Sequence, residues 1–314
     1  MRPPEAYTAR APTRADTNEL ERLFVAVDEA EGVEPIYLEQ ELQDAWRRPD
    51  FVIERDSVSV VATDGSIAAY GHVETRAAED IVQLGWVHPH HWRKGLGTYL
   101  VRDLERRARA RAAEDKVQFK QLVNIASATD PAIGEILGRE GYSLVRRFWQ
   151  MALDLEDWVA PPFPELDHVS LRVMDASETD AVYGVLAEAF IDHFGPWPSR
   201  EEWTAEMLGS ETYDPTTWFV AESDGRMVGA LTADLRSGTG HIVDLGVRKD
   251  WRKRGIARAL MQLSFENFRR RGVTRVSLGV DSESQTGATR LYESLGMTKT
   301  RGFDFYVKPL LEGS

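Results

Sequence analysis

The spacing of hydrophobic positions changes within one segment of the second half of the chain. Val243, Leu245 and Val247 alternate with other residues, which predicts a strand. Ile256 and Leu260 then recur at helical spacing, so a helix is predicted to begin shortly after the strand. The intervening turn is basic, and the first turn of a helix leaves backbone N–H groups unpaired and partially positive. The segment is therefore predicted to bind an anion, with phosphate as the natural ligand.

The same pattern occurs earlier in the chain. Asp64-Gly65 and Asp224-Gly225 each sit between two apolar runs, which predicts a hairpin with an Asp-Gly turn in each case. The two Asp-Gly pairs lie 160 residues apart, and so do the glycines of the two basic turns, Gly95 and Gly255. Because separate features keep one register, the sequence indicates a duplicated domain.

Each copy predicts the same series of elements. Two helices precede the hairpin, and a strand, the basic turn and its helix follow it. A strand, a helix and a last strand then close the copy. The flanking segments are 18–30, 38–46, 117–123, 133–137 and 148–154 in the first copy, and 176–190, 200–207, 276–280, 288–295 and 303–307 in the second.

A proline-rich stretch marks the predicted domain boundary. Residues 158–166 contain Pro161, Pro162 and Pro164, a composition that suits an extended, semi-rigid linker. The expected domains are therefore residues 1–157 and 167–314. The 314-residue length allows each of them a core of its own.

Composition narrows the function classes. The net charge of −13 argues against a nucleic-acid partner and could favour a cationic substrate such as an amine, although acidity also serves solubility. The absence of cysteine excludes disulfides and thiolate chemistry. No apolar run suits a signal peptide or a membrane helix, so a cytoplasmic protein without a membrane partner is expected. The oligomeric state stays open.

The basic turn of the second copy resembles a known loop. The run from Arg252 to Ala257 is similar to the (Gln/Arg)-x-x-Gly-x-(Gly/Ala) pyrophosphate loop of the GNAT acetyltransferase superfamily. The order of elements also resembles that family, and the tandem copies resemble the mycothiol synthase type. The resemblance implies an α/β (α+β) fold of two domains, each with a mixed, largely antiparallel sheet flanked by helices. It also implies acetyl-coenzyme A as cosubstrate and no metal.

The resemblance assigns residues to the cosubstrate. In the second copy, the residues expected to bind acetyl-coenzyme A are Leu245, Gly246, Val247, Arg252, Lys253, Arg254, Gly255, Ile256 and Ala257. In the first copy, Trp92 stands where the motif has Gln or Arg. The residues that remain there are Arg93, Lys94, Gly95 and Gly97. The first turn is therefore expected to keep binding without catalysis, with a purely structural domain as the alternative.

Two residues of the second copy are expected to be catalytic. Tyr292 follows Leu291 in a motif where the family's Tyr protonates the departing thiolate, and Leu137 takes that place in the first copy. His241 occupies the place of the family's general base, a Glu, and its first-copy counterpart by count is Ile81. Asp244 is an alternative base. Three strand positions separate it from His241, so the two side chains are expected on opposite faces.

The acceptor pocket in this family involves the loop between the first two helices. Here that loop offers Asp192, His193 and Trp197 as candidate substrate-binding residues, although a buried aromatic cluster would explain it equally. His88, His90 and His91 crowd the first basic turn without carboxylate support. A solvated turn is a better explanation for them than a metal site.

The expected activity is transfer of an acetyl group from acetyl-coenzyme A to a primary amine of a small molecule, by direct attack in a ternary complex. An amino sugar, an antibiotic and a related metabolite are the classes considered. The alternative is a non-catalytic acyl-coenzyme A sensor or scaffold. Loss of the Tyr in one copy and its retention in the other favours catalysis, because a scaffold gives no reason for that asymmetry.

Overall fold

The protein forms two compact units. The computed structural model describes residues 1–33, 38–76, 80–114, 119–191, 193, 197–236, 238–284 and 286–310. The N-terminal unit consists of Met1–Arg147 together with Arg301–Ser314, and the C-terminal unit consists of Phe148–Thr300.

The N-terminal unit is a mixed sheet with helices on both faces. Its strands lie in the order β1-β2-β3-β4-β5-β12, with β4 and β5 parallel and the other neighbours antiparallel. The strands are β1 (Tyr7–Arg10), β2 (Ser57–Ala62), β3 (Ile67–Arg76), β4 (Asp80–Val87), β5 (Gln121–Ser127) and β12 (Thr298–Pro309). The helices are α1 (Thr17–Glu31), α2 (Leu38–Arg47), α3 (Ile53–Asp56), α4 (Leu96–Glu114) and α5 (Pro131–Arg139).

The C-terminal unit repeats this arrangement. Its strands lie in the order β7-β8-β9-β10-β11-β6, and β10 and β11 are the parallel pair. The strands are β6 (Ser143–Asp154), β7 (Ser170–Val173), β8 (Phe219–Ser223), β9 (Arg226–Arg236), β10 (Thr239–Val247) and β11 (Arg275–Asp281). The helices are α6 (Thr179–Ala189), α7 (Arg200–Gly209), α8 (Ile256–Arg270) and α9 (Ala288–Ser294).

Each unit takes its last strand from the other half of the sequence. β12, near the end of the chain, pairs with β5, whereas β6 pairs with β11. This differs from the predicted boundary at residues 158–166, which lie within the C-terminal unit. Trp158 donates to the Leu295 carbonyl at 2.9 Å, and Gln262 donates to the Pro161 carbonyl at 2.6 Å. Strand exchange is a long-range pairing that composition along the chain does not encode.

Each sheet buries apolar side chains on both faces, as a sheet covered by helices must. In the N-terminal unit one core lies under α4 and another under α1 and α2. In the C-terminal unit the corresponding cores lie under α8 and under α6 and α7. Each sheet therefore has one face covered by α4 or α8 and an opposite face covered by α1 and α2 or by α6 and α7.

The predicted fold class is confirmed, and the predicted elements are present. Asp224 and Gly225 have φ of 49° and 75°, the two positive values that a tight hairpin turn with right-handed twist needs. The prediction missed the short edge strands β1 and β7 and the single-turn helix α3. These elements are too short for a periodic pattern to show. Among the described helices, none combines the length and apolarity needed to cross a membrane.

Candidate active site

A cleft opens between the two parallel strands of the C-terminal unit. β10 and β11 pair from Thr239 with Arg275 up to Ile242 with Leu278, and the pairing stops there although both strands continue. From residue 243 onward the β10 edge that faces β11 has no ladder partner among the described residues. Unpaired N–H and C=O groups on that edge are available to an extended ligand arm. The N-terminal unit diverges in the same way after Gln83 and Asn124.

β10 carries a β-bulge that β4 lacks. The register of β10 against β9 shifts by one residue between Ile242 and Asp244, which leaves Val243 as the extra residue. β4 pairs with β3 without interruption from Arg76 with Asp80 to Ala69 with Val87. The two hairpins contain equal numbers of residues. The link between β9 and β10 is one residue shorter than the link between β3 and β4, and the bulge in β10 contains the residue that makes up the difference.

The bulge overturns the prediction that His241 and Asp244 point to opposite faces. A Cβ on Gly240 would meet Phe268 of α8, so the next residue, His241, points away from α8. Asp244 accepts a hydrogen bond from Trp203 of α7, on that same opposite face. One extra residue restores the alternation, so three positions along the chain become two along the ladder. The two side chains share the face covered by α6 and α7.

The same shift corrects the first-copy counterpart of His241. His241 pairs with Asp234 on β9 and Ser277 on β11. In the N-terminal unit the residue with equivalent partners on both sides is Val82, not Ile81. Ile81 belongs to the core under α4. Neither Val82 nor Ile81 can accept a proton, so the conclusion that the first copy lacks this base is unchanged.

His241 is partly buried and neutral at physiological pH. Its Nδ1 lies 3.1 Å from the hydroxyl of Ser277. Burial, aided by the charge of Arg236, lowers the pKa of His241 to about 4, against a smaller opposing effect of Asp234. The imidazole is therefore free to accept a proton at pH 7, but it is a weak base.

Asp244 is a partly buried carboxylate with an unusually high pKa. Its Oδ2 accepts hydrogen bonds from the Trp203 indole at 3.2 Å and the Thr232 hydroxyl at 3.3 Å. Burial raises the pKa of Asp244 to about 6 despite both hydrogen bonds, and the charge of Glu206 adds to the rise. Trp203 and Thr232 were not identified from the sequence. The capping box Ser199-x-x-Glu202, which begins α7, is the only local signal near either of them.

Tyr292 lies on α9 against the core under α8 and is 8% exposed. Burial raises the pKa of its phenol to about 12, so the hydroxyl keeps its proton at neutral pH. The Tyr292 carbonyl accepts from the Met297 N–H at 3.1 Å, as the Leu137 carbonyl accepts from the Tyr142 N–H at 2.9 Å. The structure therefore gives Leu137 the same place in the fold as Tyr292, which agrees with the alignment made from the sequence.

The basic turn has the same backbone in both units. Lys253 and Gly255 have φ of 63° and 81°, and Arg93 and Gly95 have φ of 60° and 82°. Left-handed residues in such a turn can direct neighbouring backbone N–H groups toward one point, and the helix N-terminus adds its dipole. Helices α8 and α4 begin directly afterward. The described geometry fits a phosphate ligand in either unit.

The first motif residue braces this turn from behind. The Arg252 guanidinium donates to the carbonyls of Val247 at 3.2 Å and Ala189 at 3.1 Å. In the N-terminal unit the Trp92 indole donates to the carbonyl of Val87 at 2.7 Å, the equivalent acceptor. Trp92 departs from the motif in sequence, but its indole makes the hydrogen bond to the strand carbonyl that the Arg252 guanidinium makes in the second copy.

The other predicted cosubstrate residues surround the turn and the strand end. Leu245 packs toward the core under α8, and α6 approaches Gly246 so closely that a Cβ there would lie 2.8 Å from Ala189. Arg254 lies over the ring of Trp251, 4.6 Å from its centroid. The turn and the strand end thus bring the predicted cosubstrate residues of the second copy into one region.

The predicted acceptor residues are placed only in part. Asp192 lies outside the described residues. Trp197 stacks on Phe190 with ring centroids 4.4 Å apart, and its buried indole N–H finds no hydrogen-bond partner among the described residues. His193 is exposed, and its ring centroid lies 5.1 Å from that of Phe190. These rings form the aromatic cluster that the sequence predicts as the alternative to a substrate-binding loop. The Trp197 N–H is available to a ligand.

The histidines of the first turn form local contacts. The Tyr7 hydroxyl lies 2.9 Å from Nδ1 of His91, and Nδ1 of His88 accepts from the backbone of His90. No group of His, Asp and Glu suited to a metal ion is found in the part of the chain that the structure describes.

Comparisons with known proteins agree with this geometry. The model of the acetyltransferase (GNAT) family matches residues 18–128 and 180–297. A mycothiol acetyltransferase of Thermomonospora curvata is 32% identical over 247 residues, which cover 75% of this chain and 77% of that protein. Two separate segments match one family model, as the 160-residue register predicts.

Solved structures show the same tandem arrangement. A GCN5-related N-acetyltransferase from Sphaerobacter thermophilus has a TM-score of 0.87 and 34% identity, covering 100% of this chain and 98% of its own. A tandem GNAT protein from the clavulanic acid biosynthesis pathway has a TM-score of 0.71 over 98% of this chain and 100% of its own. At 14% identity, the second likeness concerns the fold alone.

Proposed function

This chain belongs to the acetyltransferase (GNAT) family and is an acyltransferase, and we propose that its C-terminal unit acetylates a primary amine of a small molecule. The family uses acetyl-coenzyme A as cosubstrate. In this proposal both substrates are bound together and the amine attacks directly. The observation that carries the proposal is that the bulge, the cleft, His241 and Tyr292 occur together in one unit.

The turn and the cleft support the cosubstrate assignment. Backbone N–H groups from Arg252 to Ala257 would hold the pyrophosphate, and the unpaired edge of β10 from Leu245 to Val247 would hold the pantetheine arm. N–H groups on that edge would also stabilise the oxyanion, because preorganised donors cost no rearrangement during the reaction. The bulge alters the direction of these groups at the point where the carbonyl would lie.

Two residues are candidates for taking a proton from the amine, and one is a candidate for giving a proton to the leaving thiolate. An amine with a pKa of roughly 10 must lose a proton before it attacks. His241 and Asp244 both face the α6 and α7 side, where the acceptor would enter. Tyr292 would give its proton to the leaving thiolate, and its pKa of about 12 supports this role because the phenol stays protonated.

The N-terminal unit is proposed to bind the cosubstrate without using it. Its turn has the same φ values as the catalytic one, and Trp92 supplies the bracing hydrogen bond. It has Leu137 and Val82 where the C-terminal unit has Tyr292 and His241. The face of its sheet under α1 and α2 also holds a packed group of rings, with the centroids of Tyr70 and Trp86 6.1 Å apart in a stacked arrangement.

The relatives support a metabolite as acceptor. The T. curvata protein bears the name mycothiol acetyltransferase, which attributes acetyl transfer in connection with mycothiol to that protein. An amino sugar, an antibiotic or a related metabolite with a primary amine is therefore proposed for this chain.

The test is coenzyme A release from acetyl-coenzyme A with glucosamine, kanamycin, spermidine and tyramine, for wild type and Tyr292→Phe. We expect turnover with at least one amine, and a fall of about 100-fold or more in kcat for the variant, the usual scale of lost general-acid catalysis. Leu137→Met in the first copy, which nearly conserves volume at a fully buried position, serves as the control and should keep the wild-type rate. Tight binding of acetyl-coenzyme A without turnover on a wider amine panel would instead favour the sensor.

A further inference from the structure

We infer that Asp244 is the carboxylate that binds the ammonium group of the acceptor and takes its proton. The inference rests on the proposed function and assigns the substrate a positive charge at the reacting nitrogen. It is carried by the placement of Asp244, which the bulge turns toward the acceptor side directly beside the Leu245–Val247 edge.

The contacts of Asp244 leave one oxygen available. Both side-chain hydrogen bonds, from Trp203 and Thr232, reach Oδ2. The backbone N–H of Asp244 is separately bound to the Thr232 hydroxyl at 3.1 Å, which fixes the strand position. Among the described residues, Oδ1 accepts no hydrogen bond. Two hydrogen bonds thus orient the carboxylate, a third fixes its backbone, and Oδ1 remains for a ligand.

Asp244 also has no ion-pair partner among the described residues. No Lys, Arg or His in the described part of the chain lies within ion-pair distance of it, whereas the nearby Asp234 is paired with Arg236 at 2.8 Å. A partly buried carboxylate without a counter-ion is unfavourable, and a bound ammonium group would relieve this. Of the two aspartates on this face, only Asp244 is therefore available to an ammonium ligand.

The groups around Asp244 favour it as the proton acceptor. Glu206 of α7 acts on its charge, His241 of β10 and Asp234 of β9 form the ladder pair two positions away on the same face, and Leu186 and Ala189 of α6 lie against Gly246, two residues further along β10. None of these groups is a cation at neutral pH, since His241 is neutral. Desolvation and Glu206 bring the pKa of Asp244 to about 6, closer to the working pH than the pKa of about 4 of His241. A base is most effective when its pKa lies near the working pH.

The N-terminal unit provides an internal contrast. Leu84 occupies the position of Asp244, opposite His72 as Asp244 is opposite Thr232. The carboxylate therefore occurs in the unit that has Tyr292 and is absent from the unit that has Leu137.

The proton balance is complete without another reactant. The ammonium group gives one proton to Asp244, and the free amine forms the C–N bond as the C–S bond breaks. Tyr292 protonates the thiolate, and the second nitrogen proton restores the phenol through solvent. Asp244 then releases its proton to water, so the products are the amide, coenzyme A and one proton.

The experiment measures kcat/KM between pH 5 and 9 for the best of the four amines, in wild type, Asp244→Asn, His241→Gln and Glu206→Gln. Asn keeps the shape and can accept from Trp203 and Thr232. In wild type we expect kcat/KM to fall along an acidic limb of the pH profile. Asp244→Asn should lose this limb and have a kcat/KM at least 100-fold lower. His241→Gln should keep the limb. Glu206→Gln should move the limb to lower pH, because it removes a negative charge that raises the pKa of Asp244.

Calorimetry on the same proteins separates this inference from the proposed function. Each amine is titrated into protein saturated with coenzyme A. If an amine binds wild type and its affinity falls at least tenfold in Asp244→Asn, the inference is supported even without turnover. Absence of turnover with every amine would overturn the proposed function alone. Turnover or binding within threefold of wild type in Asp244→Asn overturns the inference, and so does the absence of binding by every amine. Unchanged affinity for acetyl-coenzyme A shows that the variant is folded.

Discussion

The indole nitrogen of Trp92 donates a hydrogen bond to the carbonyl of Val87 at 2.7 Å, and Arg252 makes the equivalent bond to Val247. Two chemically different side chains thus hold the end of a strand against the basic turn that follows it. The motif position therefore requires a donor of sufficient length rather than a particular charge.

This relationship predicts the number of cosubstrate sites. Wild type should bind two molecules of acetyl-coenzyme A per chain in calorimetry. Trp92→Ala should bind one, because the turn loses its brace, while Trp92→Arg should keep two. A stoichiometry of one in wild type would show that the first turn is structural only.

The glycines of the two turns should differ in their tolerance of alanine. Gly255 combines a φ of 81° with a Cβ position only 2.8 Å from Cβ of Pro164, whereas at Gly95 the nearest atom, of Pro4, is 3.5 Å away. Gly255→Ala should cost about 1–3 kcal/mol in backbone strain and more from the overlap, and Gly95→Ala should cost only the strain. Urea denaturation of both variants checks the order, and equal losses would contradict it.

Asp244 should reduce stability when it is ionised. Its folded pKa of about 6 lies above the ordinary 3.8, so its contribution to stability is present below about pH 4 and is lost as the pH rises through 6. Asp244→Asn should therefore be more stable than wild type by about 1–3 kcal/mol at pH 8 and equal to it at pH 4. Denaturation at the two pH values measures this, and a less stable variant at pH 8 would show that the carboxylate is paired in the native state.

A buried ion pair fastens the exchanged strand β12 into the N-terminal unit. The Arg301 side chain is 7% exposed and donates to Asp28 at 2.5 Å and to Glu31 at 3.2 Å. Arg301→Ala should destabilise that unit by about 3–5 kcal/mol, because it removes the cation from a buried carboxylate. Lys299→Ala, which breaks the exposed pair with Glu293, is the control and should cost less than about 1 kcal/mol. Equal effects in hydrogen exchange would contradict the role of Arg301.

Much of this protein was predictable because its signals are local. The Asp-Gly turns, the change of period after Val247 and the glycine of each basic turn depend on neighbouring residues, whose backbone preferences act over a few positions. Their repetition at 160 residues indicated the duplication, and the motif around Tyr292 led to the prediction that the second copy is the catalytic one. The family and the fold class followed from these features.

Tertiary structure decided the rest, because pairing between distant strands determines it. Whether the surplus residue of a hairpin enters the turn or the bulge depends on the register of β9 against β10, and that register places Asp244 beside His241 rather than behind it. The exchange of β6 and β12 likewise depends on partners such as Asp28 and Arg301, 273 residues apart. A one-residue change in register reverses the face of every following side chain, so spacing alone could not predict that Asp244 and His241 share a face.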